Sequence, residues 1–463
     1  MGLSSALSFL HALLFFIITI FVLVSIHEFG HFISGRMFGM RVPVFSIGYG
    51  RRILGFNKIN GLTLGPLDPE AEAKLENHTD YRISLLPAGG YARIEGMIDE
   101  TQNQELPEEV QPWEFRAKPW WQKSIVICGG VIMNVLLAWF IFSGRNVMYG
   151  NDSWGTTTVG YVRHASVSEA EGIRPGDKIL SIAGKPATDW NDVENVLTDD
   201  YGRDFSMRFE RAGKVYSVVY SASSLGTLQS ASKNFGLEPA GLAPPVIDSV
   251  IPGFPASKAG MMSGDSVVAV NGAAIPSPGA FVDAINSHPL KPITIDVIRK
   301  GVPKELTVTP DASGLIGVMP ASNFTGPILH IRYTLGQAIS RGWSDLWTIT
   351  RLTVVSVVQI IRGTMPVGQA LGGPVKIAAY ASQSAAGGFE SFIRFMALLS
   401  MSLALINILP IPALDGGHLL IILIEAVVGH ELSLKFKMNF QRVGMAIILF
   451  LLIFMTINDI RTL

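Results

Sequence analysis

The stretch with the clearest chemistry is His27-Glu28-Phe29-Gly30-His31, in which two imidazoles stand four positions apart with a carboxylate beside the first. On an α-helix this spacing directs both imidazoles to one face, one turn apart. Two histidines at this spacing bind zinc in hydrolases in which the glutamate acts as the general base. The motif therefore predicts a metal site with His27 and His31 as ligands and Glu28 as the catalytic base.

The motif follows a long apolar stretch, Ala6 to Ile26, that contains no Lys, Arg, Asp or Glu. Ionisable residues within a membrane-spanning segment are costly and usually functional. A cluster of polar residues that reaches from a helix end into lipid headgroups is the alternative interpretation. Hydrophobic residues make up 48% of the chain and charged residues 16%, with a mean hydropathy of +0.36. We therefore predict a polytopic α-helical membrane protein with a soluble part.

A catalytic zinc needs three protein ligands and one open position for water. The leading candidate for the third ligand is Asp415, which follows a proline-containing stretch at the end of a later apolar segment. That segment should deliver Asp415 to the membrane depth of the two histidines. His418 is the alternative ligand or a group that supports a ligand, and Glu425 is expected to be paired or interfacial.

Four transmembrane helices are predicted: one within residues 1–35, one at 124–144, and two within 390–463. Basic residues cluster at both ends of the loop between the first two helices, and none precedes the first. The positive-inside rule therefore places residues 36–123 in the cytoplasm and both termini outside. Residues 325–385 are predicted to form amphipathic helices at the outer membrane face, and a tilted span is the alternative.

The cytoplasmic loop contains two strand-like runs, Tyr81–Leu86 and Tyr91–Ile94, separated by Pro87-Ala88-Gly89-Gly90. This pattern predicts a membrane-associated β-hairpin, and a plain surface hairpin is the alternative. A free strand edge near the metal site could hold an extended substrate by strand addition. The predicted substrate-binding residues of this edge are Gly89, Gly90 and Tyr91.

The region between the second and third spans contains an internal repeat with an offset of 88 positions. Gly172-Ile-Arg-Pro-Gly176-Asp177 recurs as Gly260-Met-Met-Ser-Gly264-Asp265, and Arg211-Ala-Gly213 recurs as Arg299-Lys-Gly301. The pattern resembles the PDZ domain, an α+β fold that binds extended peptides by strand addition. We predict two tandem extracytoplasmic PDZ domains, at 155–238 and 243–320, joined by a linker at Pro239–Pro245. Gating is favoured over ligand binding as their role.

A transmembrane substrate hides its backbone in its own helical hydrogen bonds, so it must unwind before cleavage. The Asn407 side-chain amide could bond the freed groups. Pro410 and Pro412 lack backbone donors and keep the local chain out of regular helix, which leaves room beside the metal. These three residues are therefore predicted to contribute to substrate binding.

Charge and cysteine content limit the possible functions and crosslinks. A formal net charge of −1 without a basic stripe argues against nucleic-acid binding. A single cysteine rules out an internal disulfide. The expected partners are the lipid bilayer and single-span membrane proteins, and we expect a monomer.

The two motifs, His27-Glu28-x-x-His31 and Asn407-x-x-Pro410-x-Pro412-x-Leu414-Asp415-Gly416, together with the PDZ pair between them, resemble the site-2 intramembrane metalloproteases. The resemblance is closest to the regulator proteases of the Gram-negative inner membrane. It implies Zn²⁺ bound by His27, His31 and Asp415, with Glu28 catalytic. It also implies a re-entrant β-hairpin, and a role for Asn407, Pro410 and Pro412 in substrate handling.

The family's substrates are single-span proteins, typically an anti-sigma factor already cut by a first protease, and remnant signal peptides. The resemblance implies an inner-membrane enzyme with periplasmic termini and PDZ domains, whose active site lies near the cytoplasmic face. The PDZ pair would exclude untrimmed substrates by size. Relatives often have a Gly-Pro pair before the asparagine of the second span, whereas this chain has Gly129-Gly130 before Asn134. A catalytically silent scaffold and a zinc transporter or sensor are the competing functions.

Overall fold

A computed structural model describes residues 3–75, 78–97, 109–200, 202–226, 228–251, 253–362 and 372–462. The chain divides into two compact units. One comprises Met1–Tyr149 with Tyr333–Leu463, and the other comprises Gly150–Arg332.

The first unit is mainly helical. Its helices are α1 (Leu3–Met37), α2 (Pro69–Ala73), α3 (Trp120–Met148), α10 (Leu335–Ile361), α11 (Pro374–Ala386), α12 (Phe389–Asn407), α13 (Asp415–Val428) and α14 (Leu434–Thr462). Among the described residues, four helical segments are long and apolar enough to cross a membrane: Leu10–Met37, Trp120–Met148, Phe389–Asn407 and Leu434–Arg461. This agrees with the predicted number of spans.

Helices α1 and α3 approach each other closely because glycines meet at their crossing. A Cβ atom at Gly129 would lie 2.6 Å from Ser34 Oγ, and one at Gly30 would lie 2.8 Å from the Gly130 nitrogen. Small residues allow this backbone approach between membrane helices. The contact lies beside the histidine motif and therefore sets the distance between that motif and α3.

Helix α10 packs against α3 and α12, although it is not one of the four candidate spans. The shared apolar cluster consists of Ala138, Phe142, Leu346, Ala397 and Met401. The N-terminus of α11 is capped by Asp459 of α14, whose carboxylate accepts from the Gly373 and Lys376 amides at 3.1 and 3.0 Å. Residues 363–371, within the predicted amphipathic region 325–385, lie outside the described residues. Ile328–Ile331, in the same region, form a strand rather than a helix.

The sheet of the first unit has the strand order β2-β1-β3, with β1 at Val44–Asn57, β2 at Gly61–Leu64 and β3 at Asp80–Arg93. The beginning of β1 has partners on both sides, since Val44 faces both Arg93 and Asp80. The two runs predicted to pair with each other as a hairpin therefore both pair with β1, and the predicted hairpin is wrong in its pairing.

The physical reason is a bend in β1. Gly48 and Gly50 have φ angles of 90° and 85°, which few other residues adopt. A Cβ at Gly48 would also lie 2.9 Å from the carbonyl oxygens of Ser84 and Leu86. The bend lets the first half of β1 lie between the two ends of β3. A buried ion pair between Arg52 and Asp80, with nitrogen–oxygen distances of 3.0 and 3.1 Å, joins the two strands.

The second unit is rich in short strands: β4 (Asn151–Trp154), β5 (Val159–Val162), β6 (Lys178–Ile182), β7 (Lys185–Pro186), β8 (Phe205–Arg211), β9 (Lys214–Tyr220), β10 (Leu237–Pro239), β11 (Leu242–Val250), β12 (Ser266–Val270), β13 (Ala273–Ala274), β14 (Ile293–Arg299), β15 (Val302–Val308), β16 (Val318–Phe324) and β17 (Ile328–Ile331). Its helices are α4 (Val167–Ala170), α5 (Trp190–Asp199), α6 (Ala222–Leu225), α7 (Leu228–Phe235), α8 (Pro255–Lys258) and α9 (Pro278–Asn286).

The sequence repeat is also a repeat of structure. Strands β6, β7, β8 and β9 recur 88 positions later as β12, β13, β14 and β15. In both copies the aspartate after the glycine turn binds the arginine of the later hairpin: Asp177 binds Arg211, and Asp265 binds Arg299. Each copy has its own apolar core.

The predicted linker at Pro239–Pro245 is mostly strand, with a turn at Ala240 and Gly241 between β10 and β11. Pro239 ends β10, and Pro244 and Pro245 lie within β11. The pairing of β11 with β16 shifts register between Ala243 and Val246, and such an irregularity accommodates prolines that cannot donate to a regular ladder. Strand β16 also runs four residues past the predicted boundary at 320.

Candidate active site

The histidine motif lies in the last third of α1, so helical geometry brings His27 and His31 to one face. Both side chains are buried, and their Nε2 atoms are 3.3 Å apart. The carbonyl oxygen of Val126 on α3 lies 2.9 Å from His31 Nδ1. A hydrogen bond from Nδ1–H to this carbonyl leaves the lone pair of Nε2 free for a metal.

Asp415 reaches this face by a tight turn between α12 and α13. The turn includes Ala413 at a φ angle of 69°. A Cβ at Gly416 would lie 2.6 Å from the Ile408 carbonyl carbon, and one at Gly417 would lie 3.0 Å from Pro412 Cα. The two glycines therefore let the proline-containing stretch fold back onto the start of α13, which presents Asp415 to α1.

Three potential ligand atoms converge at this point. Asp415 Oδ2 lies 3.2 Å from His27 Nε2 and 3.5 Å from His31 Nε2. Ligand atoms about 2.0–2.2 Å from one tetrahedral zinc are about 3.3–3.6 Å apart, so these separations fit a single ion. Asp415 Oδ2 is also buried without a hydrogen-bond partner among the described residues, as expected of an atom that serves a metal. The donor set of two imidazoles and one carboxylate suits zinc.

Glycine 130 makes room for the two imidazoles. A Cβ at this position would lie 2.6 Å from both His27 Cε1 and His31 Nε2. Neither this role nor the contact between Gly30 and Gly129 was predicted from the sequence. The Gly129-Gly130 pair inside an apolar helix was the available signal, because paired small residues mark close helix contacts in membranes.

Glu28 faces the end of β3. Its Oε2 accepts a hydrogen bond from the Ala92 amide at 3.0 Å. Beside it, the rings of Tyr49 and Tyr91 stack with their centroids 5.9 Å apart. The sheet therefore lies directly against the predicted catalytic base.

These groups surround one cavity of about 250 Å³. Of the residues predicted from the sequence, those that line it are His27, Glu28, His31, Gly90, Tyr91, Asn407, Asp415 and His418. The Asn407 amide nitrogen lies 3.4 Å from His27 Nε2. Gly89, Pro410 and Pro412 do not line the cavity: a Cβ at Gly89 would meet the ring of Tyr49, and Pro412 packs against Gly444 of α14.

His418 and Glu425 have other partners. The Gln441 side-chain amide lies 3.1 Å from His418 Nε2. Glu425 binds Lys437 at 2.6 Å, which agrees with the expectation that it is paired. In the described ranges, the group of potential metal ligands consists of His27, His31 and Asp415 and does not include His418.

Two imidazoles and a carboxylate that converge beside a glutamate, in a bundle of apolar helices, define a metal-dependent hydrolase of the membrane. Comparison with known proteins gives the family. Residues 15–66 and 68–451 match the sequence profile of peptidase family M50. The chain therefore belongs to peptidase family M50, and the family and the enzyme class expected from the sequence are confirmed.

Several relatives match the chain over nearly its whole length. A Vibrio cholerae protein, whose name assigns it provisionally to the zinc metalloproteases, is 31% identical over an alignment of 479 positions including gaps. The alignment covers 96% of this chain and 97% of that protein. The regulator of sigma-E protease RseP of Escherichia coli is 28% identical, with 98% and 99% covered. The RseP of Salmonella typhimurium is 29% identical with the same coverage.

Proposed function

We propose that this protein is an intramembrane endopeptidase that cleaves transmembrane segments of single-span proteins. The protein is a zinc metalloprotease. The observation that carries it is the convergence of His27, His31 and Asp415 beside Glu28 within the apolar helices. We propose these three residues as the zinc ligands and Glu28 as the catalytic base.

When bound, the zinc ion would activate a water molecule and polarise the scissile carbonyl. The side chains around it would transfer the proton and stabilise the developing charge. Glu28 takes the proton of the attacking water on its carboxylate and passes it to the leaving amine. The Asn407 amide, 3.4 Å from His27 Nε2 at the cavity wall, is placed to donate to the carbonyl oxygen as negative charge develops there.

An unwound substrate needs partners for its freed backbone groups. The last residues of β3 pair with β1, and the Ala92 amide points away from β1 because it bonds Glu28. Alternate residues of an edge strand direct their polar groups to the same side. The backbone groups of Gly90 and the Ala92 carbonyl would therefore face the cavity, while the Ala92 amide is occupied by Glu28. We propose that a substrate segment adds to this edge, next to Tyr91, in extended form. Gly89, Pro410 and Pro412 would act indirectly, by shaping the chain around the cavity.

We further propose a bacterial inner-membrane location with periplasmic termini and an active site near the cytoplasmic face. The distribution of basic residues around the first two spans supports this orientation. The two structural repeats would be periplasmic PDZ domains that exclude untrimmed substrates by size. The substrates would be an anti-sigma factor already cut by a first protease and remnant signal peptides, and the enzyme would act as a monomer without nucleic acid.

The test is cleavage of a model single-span substrate by the purified protein in lipid vesicles, with Glu28→Gln beside the wild type. We expect the variant to lose cleavage by at least about 100-fold, because it removes the proton acceptor, and to keep its zinc. Glu431→Gln, at an exposed carboxylate, serves as the matched control and should cleave normally. Equal cleavage by Glu28→Gln and the wild type would contradict the proposal.

A further inference from the structure

Asn134 of α3 faces the side of His27 that is turned away from the predicted metal. Its amide nitrogen Nδ2 lies 3.1 Å from His27 Nδ1, and the residue has no exposed surface. Its Oδ1 atom is buried and has no hydrogen-bond partner in the described part of the chain. A buried amide oxygen that lacks a donor is destabilising, so we expect a nearby group that it serves.

The tautomer of His27 identifies that group. His27 Nε2 points at Asp415 Oδ2 and His31 Nε2, so metal binding requires a free lone pair on Nε2. A neutral imidazole with that lone pair carries its proton on Nδ1 and therefore needs an acceptor there. Asn134 is the side chain at that distance, and a half turn of its amide exchanges the oxygen and the nitrogen.

We propose that Asn134 is a positioning residue for the metal site, in which its Oδ1 accepts the Nδ1–H of His27 and so aims Nε2 at the ion. This inference rests on the proposed function, because it takes His27 as a ligand. Helix α3 would then orient both imidazoles: Val126 orients His31 through its backbone carbonyl, and Asn134 orients His27 through its side chain. Partners of this kind set ring orientation and ligand basicity.

The backbone at Asn134 is itself held in place. Ser400 of α12, which is fully buried, donates its hydroxyl to the Asn134 carbonyl oxygen at 2.8 Å. About two turns further along α12 lies Asn407, whose amide nitrogen is on the Nε2 side of His27. The position of Asn134 is therefore fixed relative to both the histidine motif and the helix that leads to Asp415.

The test measures zinc affinity by chelator competition on the purified full-length protein, together with the absorption spectrum of the cobalt(II)-substituted protein. Asn134→Leu keeps the branched shape of the side chain and removes the acceptor, and we expect about 10–100-fold weaker zinc binding and altered cobalt bands. Asn134→Asp keeps an acceptor, and we expect zinc affinity within about threefold of the wild type. A merely structural role would not separate these two variants in this way.

Asn146→Leu is the matched control, since Asn146 is another buried asparagine of α3, bonded to Asp345 and remote from the histidines. Its zinc affinity should equal that of the wild type. Wild-type zinc affinity and a wild-type cobalt spectrum in Asn134→Leu would overturn the inference. A tenfold loss of zinc affinity in Asn134→Asp would also overturn it. If the leucine variant does not fold, the result for Asn134→Asp decides alone. His27→Ala tests the zinc ligands separately from the role of Asn134. If this variant keeps its zinc, the proposed ligand set fails irrespective of Asn134.

Discussion

Replacement of Gly130 by alanine tests how the helices hold the two histidines. The added Cβ would lie 2.6 Å from His27 Cε1 and from His31 Nε2, whereas ordinary contacts begin at 3.4 Å. The imidazoles must therefore move by about 0.8 Å, the difference between these two distances. Metal sites tolerate deviations of about 0.2 Å in ligand distance, and a misplacement of about 1 Å costs about 100-fold in rate.

We therefore expect Gly130→Ala to lower kcat/KM for a single-span substrate by about 100-fold and to weaken zinc binding by at least tenfold. Both are measured on the purified protein, by cleavage in lipid vesicles and by chelator competition. Gly144→Ala is the matched control on the same helix, because a Cβ there meets nothing within 4 Å. It should keep wild-type activity, and alanine is the better helix former by about 1 kcal/mol. Wild-type zinc affinity and cleavage in Gly130→Ala would refute the packing described for α1 and α3.

Three further predictions concern the sheet, the second repeat and the cavity. Asp80→Ala leaves Arg52 buried and unpaired, which should cost about 3–5 kcal/mol and speed hydrogen exchange in residues 44–57; unchanged exchange would contradict it. Burial raises the pKa of Asp265, but hydrogen bonds from Arg299 and the Met262 amide outweigh it and hold the pKa below its ordinary value. The stability that this lowered pKa provides is present above the unfolded pKa of about 3.9 and is lost as pH falls through the lower folded pKa. Acid should therefore lower the unfolding temperature of the Gly150–Arg332 unit less in Asp265→Asn than in the wild type. Asn407→Leu should lower kcat by about 100-fold or more with zinc content unchanged, and a change in KM alone would argue against a role at the developing oxyanion.

The sequence predicts the membrane helices well because their signal is local. Apolar runs of about 20 residues leave few alternatives to a spanning helix, and the four candidate spans agree with them. The repeat is equally local, since its glycine turns and its Asp–Arg pairs recur at one offset. The pairing of Asp265 with Arg299 follows the same spacing as that of Asp177 with Arg211.

The partners of the strands were not predictable in the same way. Tyr81–Leu86 and Tyr91–Ile94 look like a hairpin because they are neighbours in sequence, but each gains a longer ladder by pairing with β1. That choice depends on the bend at Gly48 and Gly50 and on a salt bridge between Arg52 and Asp80, which are distant in sequence. Arg52 is counted as a cytoplasmic charge by the positive-inside rule, yet it is buried in this pair.

In the candidate active site, too, local features were predictable from the sequence and long-range contacts were not. The spacing of His27 and His31 follows from one helix, and Asp415 could be inferred from its depth at the end of a later span. The contacts that support the two histidines could not be inferred from the sequence, because they join residues about 100 or more positions apart. They are the contacts of Val126 with His31, of Gly130 with both imidazoles, and of Asn134 with His27. Such contacts depend on how closely the helices approach, which no local pattern specifies.

The zinc content of the purified protein tests the proposed ligand set, and it is determined for the wild type, Asp415→Ala and His418→Ala. We expect one zinc per chain in the wild type, loss of zinc in Asp415→Ala, and retention in His418→Ala, because Asp415 meets the two imidazoles and His418 lies beside Gln441. Zinc retained undiminished in Asp415→Ala, or lost in His418→Ala alone, would contradict the proposed ligand set.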